Sequence, residues 1–309
     1  MSFILVLLLL SLATSPAAAG LGGELTLTNS FIKGDTWRWK TQTELTVNYR
    51  WRTDDFRFDA KIRGSLPGED DDLQWEGERL SLSLYGSSWT ATLGLQPLTW
   101  GVGQTWPELE SPLNIYPESF WGVSWRLPTA PLEYWTATVG KVEDGLRTSL
   151  RKQGYYHGLR WSALAAWDDG ELLLGCDGKI DLGWELYGDF LYHGERQRWQ
   201  FLVGADYQLG PTVAITEWRH DGLIAANQDF LAQIFTYNLD EFTSLALGVD
   251  VCWADGSYRI DTGLETMLLN DLTLTLGAAF PQGKEGSHYG NMAHWVGSTI
   301  LSAELKAAF

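Results

Sequence analysis

From Trp37 to Arg52 the chain alternates without a break. Trp37, Trp39, Thr41, Thr43, Leu45, Val47, Tyr49 and Trp51 stand on one parity, and Arg38, Lys40, Gln42, Glu44, Thr46, Asn48, Arg50 and Arg52 on the other. Strand side chains point to opposite faces with a period of two, so one extended segment of this sequence has an apolar face and a charged face along its whole length. A helix would scatter the two sets around its circumference. The pattern therefore demands a surface that is oily on one side and wet on the other.

The same pattern recurs to the end of the chain. After Thr53-Asp54-Asp55, Phe56, Phe58, Ala60 and Ile62 oppose Arg57, Asp59, Lys61 and Arg63; Leu80, Leu82 and Leu84 then alternate with Arg79, Ser81, Ser83 and Tyr85. Later, Ile180, Leu182, Trp184, Leu186 and Phe190 alternate with Asp181, Gly183, Glu185, Tyr187 and Asp189, and Trp199–Tyr207, Leu245–Val251 and Tyr258–Leu268 continue the series. Leu209-Gly210-Pro211, Leu239-Asp240-Glu241, Ala254-Asp255-Gly256 and Asn270-Asp271 punctuate it with turn-forming residues. Runs of about ten alternating residues joined by short turns on one rim and longer connections on the other describe an up-and-down transmembrane barrel. The longer connections fall near 64–76, 98–118, 219–228 and 281–296.

Composition supports this reading over a large soluble sandwich. The chain holds 17 Trp, 12 Tyr, 12 Phe and 33 Gly against 3 Met, as expected where aromatic girdles ring a barrel. A sandwich would need a second sheet to cover so many outward Trp and Leu. After residue 19 no apolar stretch reaches the roughly 18 residues a spanning helix needs. The expected fold is all-β, a closed antiparallel transmembrane barrel of about sixteen strands, if 143–155 is a loop and 170–193 one kinked strand. It has about eighteen if Leu146–Lys152 and Glu171–Cys176 are strands of their own. The length of about 290 residues beyond the leader favours the smaller count.

That leader is residues 1–19, an apolar run from Phe3 to Leu10 followed by Ser15-Pro16 and Ala17-Ala18-Ala19, which reads as a secretory signal peptide cut before Gly20, although its first residues hold no Lys or Arg. Residues 20–309 then form the barrel. At the other end Leu301, Ala303, Leu305, Ala307 and Phe309 share one face of a terminal strand. The expected destination is the Gram-negative outer membrane, reached through the secretory pathway.

The formal charge of −17 sets nucleic acid aside, since phosphate binding needs clustered Lys and Arg. Cys176 and Cys252 lie far apart with no C-x-x-C spacing, and no metal site or cofactor is expected. The charge is unevenly spread. Residues 33–63 carry eight basic and five acidic residues, a net of +3, so the remainder carries −20. Inward positions are therefore expected to form a basic wall of Arg38, Lys40, Arg50, Arg52, Arg57, Lys61 and Arg63 opposite an acidic one, the inward positions of later strands being Asp181, Glu185, Asp189, Asp206, Asp250, Asp261 and Glu265. Such a field across a lumen orients dipolar solutes. The competing reading is that these charges pair across neighbouring strands and simply fill a wet interior.

One stretch interrupts the strands, Gly94 to Pro117, and a loop of about twenty residues inside a compact fold is usually functional or disordered. It is expected to fold into or over the barrel mouth, with Glu108 and Glu110 projecting into the lumen and Trp100 and Trp106 offering faces to sugars or packing at the loop base. Among the five His, His220-Asp221 in one expected outer loop and His288 with His294 in another leave room for a rim hydrolase. No G-x-S-x-G or H-E-x-x-H accompanies them.

Gly94, Gln96, Trp100, Gly101, Pro112 and Pro117, together with the terminal Phe309, resemble the pattern of Gram-negative porin-like barrels, alginate-export-type channels among them. There a strand ending in G-x-Q runs into W-G and a proline-containing segment. This chain has Leu95 where such families often have Arg, and Glu108 or Glu110 where they place an Asp. The resemblance implies a channel for passive diffusion of small hydrophilic or charged solutes, embedded in outer-membrane lipid and lipopolysaccharide and assembled through its aromatic-terminated last strand. A homotrimer is among the assemblies it allows. The alternatives are a barrel enzyme with a rim site and a structural or adhesion barrel plugged by the long loop.

Overall fold

The computed structural model describes residues 20–33, 37–67, 74–98, 100–103, 112–113, 115, 120–142, 145–223, 228–295 and 297–308. Residues 1–19, Glu108, Glu110, Trp106 and Phe309 lie outside the described residues.

Within them the chain forms β1 (Leu21–Lys33), β2 (Trp37–Arg52), β3 (Phe56–Pro67), β4 (Gln74–Tyr85), β5 (Thr90–Gln96) and β6 (Phe120–Ala130). Next come β7 (Glu133–Val142), β8 (Gly145–Tyr156), β9 (Leu159–Asp168), β10 (Glu171–Asp181), β11 (Glu185–His193) and β12 (Arg198–Leu209). The last are β13 (Thr212–Asp221), β14 (Gln228–Asn238), β15 (Thr243–Cys252), β16 (Ser257–Leu269), β17 (Leu272–Gln282), a helix α1 (His288–Trp295) and β18 (Thr299–Ala308). Every strand pairs antiparallel with its sequence neighbours, and β18 pairs back onto β1 from Thr299↔Lys33 to Ala308↔Glu24. Closure leaves no sheet edge and lets each backbone donor and acceptor find a partner away from water, which a spanning structure requires.

The count is eighteen, not the favoured sixteen. The segment 143–155 is mostly β8, and 170–193 is two strands, β10 and β11. Two signals mark them. His157-Gly158 and Asp169-Gly170 join β8 to β9 and β9 to β10 as two-residue links, and all four residues take positive φ, 46°, 88°, 44° and 92°. That is the tight hairpin geometry for which Asp-Gly is a strong local cue. The cations of β8 hide its alternation from a hydrophobicity reading, yet Arg147 and Arg151 face inward onto carboxylates.

The register fixes the two faces. Trp39 sits opposite Phe31 and Trp51 opposite Phe58, and Trp121, Trp125, Trp167 and Trp253 are among the exposed outward aromatics. Both chain ends and the links 53–55, 86–89, 131–132, 157–158, 182–184, 210–211, 239–242 and 270–271 lie at one rim, here the turn rim. At the opposite loop rim lie the strand ends that flank 34–36, 68–73, 97–119, 143–144, 169–170, 194–197, 222–227, 253–256 and 283–298. The short Ala254-Asp255-Gly256 turn thus belongs with the long connections. His220 and Asp221 close β13 instead of lying in a loop, because the ladder to β14 runs through Asp221↔Gln228.

Candidate functional site: an inward loop facing a basic wall

Side chains on the inward parity are where the barrel's burial concentrates, and the largest buried cluster belongs to the long β5–β6 connection. Gln96 anchors its root: the amide donates to the carbonyls of Thr92 (3.2 Å) and Gly122 (3.1 Å) and accepts from Ser124 (2.6 Å). Beyond it Trp100, Leu113 and Ile115 pack with Phe120 of β6, Leu164 and Ala166 of β9, Leu173 of β10 and Leu191 of β11. Val102 packs with Tyr187 of β11 and Leu202 of β12. The described part of the loop therefore leaves the wall at β5 and lies against the inner face of β9–β12.

Two contacts fix that position. Leu113 is fully buried and sits over Gly175, where a Cβ would come within 2.4 Å of its methyl, so the wall supplies a socket by omitting a side chain. The Val102 backbone N–H donates to both oxygens of Asp189 at 3.1 Å. A charge-assisted bond of this kind, in a site nearly closed to water, is among the stronger ones available to a loop. Trp100 is buried in the same cluster with the Arg151 guanidinium 5.6 Å from its ring centroid, which assigns it to packing and leaves no open face for a sugar.

The acidic positions on the opposite wall are engaged locally. Asp189 holds the loop, Glu185 pairs with Lys179, and Asp181 accepts the Gly183 N–H in the turn (2.8 Å). Deeper in the wall Arg151 pairs with Asp177 at 2.7 Å, and the buried Glu217 accepts from the Tyr187 hydroxyl at 2.7 Å.

The basic wall is different. Its seven residues, Arg38, Lys40, Arg50, Arg52, Arg57, Lys61 and Arg63, share the inward parity of β2 and β3. Arg50 (2.9 Å) and Arg57 (2.6 Å) share one carboxylate, Asp59, while Lys61 and Arg63 share Glu78. Two cations per carboxylate leave the wall positive. Arg38, Lys40, Arg52 and Arg79 form no ion pair among the described residues. Glu78 escaped the sequence reading because simple alternation puts it with Leu80 and Leu82. A register shift between Lys61 and Ile62 resets the parity of β4 at this point and brings Glu78 to the two cations.

In a closed ring of eighteen strands β2 and β3 lie across the lumen from β11 and β12. The loop is packed on the latter, so its lumenal side looks toward the basic wall. A recess of about 540 Å³ along that wall is lined by Asn48, Arg50, Asp59, Lys61 and Arg79 among others.

Among the described residues, His220 and His288 lie apart from this loop. His220 is on the outward parity, hydrogen-bonded to Asp229 (2.9 Å) and stacked on Trp199 and Phe201 with ring centroids 4.6 and 5.4 Å away. His288 begins α1 and packs edge-on against Phe230 at 4.9 Å.

No family model matches the chain, and no curated protein matches it. Solved structures do. OccAB1 of Acinetobacter baumannii aligns with TM-score 0.66 and 10% identity over 94% of this chain and 95% of that one. Wzi of Escherichia coli, described as an outer membrane protein involved in group 1 capsule assembly and a carbohydrate-binding β-barrel, aligns with TM-score 0.68 and 12% identity over 95% and 86%. A mutant porin of Rh. blastica aligns with TM-score 0.59 and 11% identity over 94% and 99%. At such identities the likeness is one of fold, that of large outer-membrane barrels.

Proposed function

We propose that this chain is an outer-membrane channel for passive diffusion of small hydrophilic or charged solutes. The observation that carries the reading is an inward loop whose described part is fastened to one wall by Asp189 and Gly175 while, among the described residues, a recess lies open along the basic wall across the lumen. A barrel of this girth whose interior were only structural would not need two cations around each of Asp59 and Glu78 on the inner face of β2–β4. Selectivity then comes from Arg38, Lys40, Arg50, Arg52, Arg57, Lys61 and Arg63 facing the loop, and desolvation in a narrow gap strengthens that field. Asp181, Glu185 and Asp189 act chiefly by holding the opposite side together. Glu108 and Glu110 are carried as constriction carboxylates on sequence grounds alone.

The porin likeness supports placement in the Gram-negative outer membrane, with lipid and lipopolysaccharide around the aromatic outer face and the assembly machinery engaging the last strand, β18. A homotrimer is compatible with this reading. A relation to alginate-export channels rests on the sequence pattern at Gly94–Pro117 alone and leaves the solute at the level of its class.

The test is single-channel conductance of the refolded protein in a planar bilayer, with Arg38→Gln/Lys40→Gln and Glu108→Gln/Glu110→Gln variants alongside. Discrete steps are expected, with selectivity moving toward cations in the first variant and toward anions in the second. A correctly folded barrel that passes no current would shift the weight to a plugged structural barrel or a rim enzyme.

A further inference from the structure

A direct link from β17 to the adjacent β18 needs few residues, yet the chain spends 283–298 on it and folds α1 inside. Tyr289 reaches back to β14 and β15, where it packs with Phe230, Ala232 and Cys252 at 1% exposure. Its hydroxyl donates to the buried carboxylate of Asp250. Its backbone N–H donates to the Ser257 hydroxyl (3.1 Å), the His288 N–H to Asp255 (2.6 Å), and the Gly290 N–H to the Ser287 hydroxyl (3.1 Å). Met292 adds a second apolar contact to the same cluster. These anchors take up backbone donors of the first turn, the groups a helix N-terminus leaves open; Ser287 caps locally, and Asp255 and Ser257 tie the turn to the β15–β16 wall.

Phe230, Ala232, Asp250 and Cys252 are all inward residues at the loop-rim ends of β14 and β15. The helix therefore roofs the inner face of β14–β17, while the described part of the long loop covers β9–β12. Among the described residues neither of them covers the inner face of β18 and β1–β5, the sector that carries the basic wall.

We infer that α1 is a second, fixed constriction element, set by Tyr289 with Asp250 as its positioning residue, and that solutes pass off-centre along β18 and β1–β5. This rests on the channel reading and adds to it a residue that sets the width of the passage. Tyr289 does so by holding α1 in the mouth.

The native thiols supply a readout independent of current. With Cys176 changed to Ser, Cys252 is the only thiol, and it lies fully buried beneath Tyr289. A charged, water-soluble thiol reagent is expected to leave Cys252 untouched in the otherwise native barrel and to modify it once Tyr289→Ala releases the helix, with a rise in single-channel conductance. The same reagent applied to Lys40→Cys, on the uncovered wall, is expected to block current with α1 intact. That arm does not depend on the Tyr289 variant folding. Should Tyr289→Ala conduct like the parent while Cys252 becomes reactive, α1 is not a constriction and the inference falls with the channel reading intact. It falls equally if modified Lys40→Cys carries undiminished current. A parent barrel silent in the bilayer removes both readings together.

Discussion

Replacing Leu113 by Ala tests the loop's anchorage most directly. The side chain is completely buried, in a cluster formed by Trp100, Ile115, Phe120, Leu164, Ala166, Leu173 and Leu191, and Gly175, the floor of the socket, has no side chain of its own to close the space while the neighbouring Leu191 is already packed in the cluster. Truncating a buried Leu costs about 2–5 kcal/mol, with the upper half of the range where the site cannot collapse. The loss falls on docking of the loop, since Leu113 is in no strand and the barrel ladders do not involve it. Even the low end weakens the docked state by about thirty-fold. The Asp189 to Val102 bond remains, so the loop is expected to fluctuate between docked and released states instead of leaving outright. In planar bilayers the variant should show larger or noisier open-channel current than the parent, while its urea unfolding midpoint moves little. An unchanged current with unchanged noise would refute the idea that the loop bounds the passage. A large drop in unfolding midpoint would instead make Leu113 part of the barrel's core stability.

Arg151→Met strands the Asp177 carboxylate, whose side chain is 1% exposed in the pair, and a one-sided loss of this kind costs about 3–5 kcal/mol in urea unfolding; the Arg151→Met/Asp177→Leu double variant should recover most of it. Tyr187→Phe takes the hydroxyl donor from the fully buried Glu217 and is expected to lower unfolding free energy by about 1–3 kcal/mol, and no change by the same assay would contradict the assigned bond. At the loop rim, burial tends to raise the Asp255 carboxyl, but hydrogen bonds from Ser257 and from the His288 backbone outweigh it and hold it below its ordinary value. A carboxyl depressed on folding contributes stability that is complete above the unfolded-state value, near pH 4, and is lost as pH falls through the folded value. The stability gap between the parent and Asp255→Asn should therefore be present at neutral pH and shrink in strong acid; a gap independent of pH would show that the carboxylate's charge plays no part.

Much of the architecture is legible because a lipid-facing strand has only one solution to its pattern. Trp37–Arg52 can satisfy both faces only between lipid and water, and repetition of that pattern with turn residues between requires a closed antiparallel ring. Inward parity of the basic residues followed from the same period. What misled was local: Arg147, Arg151 and Lys152 diluted the apolar parity of β8, although His157-Gly158 and Asp169-Gly170 were visible hairpin cues, and a single shift in register carried Glu78 to the inner face.

Tertiary structure alone decided where the interior is filled. Nothing in the spacing of Gly94–Pro117 says which wall the loop will choose, because the socket under Leu113 is made of Gly175, Leu164 and Leu191 and the seat under Val102 of Tyr187 and Leu202, brought together only when β9–β12 are in register. The spent acidic wall, the shared carboxylates of the basic wall and the inward fold of α1 onto Asp250 and Cys252 have the same origin. Alternation is a property of one strand and is written in its own residues. A lumen is a property of strands far apart in sequence, and its contents are settled only when closure sets their inner faces against one another.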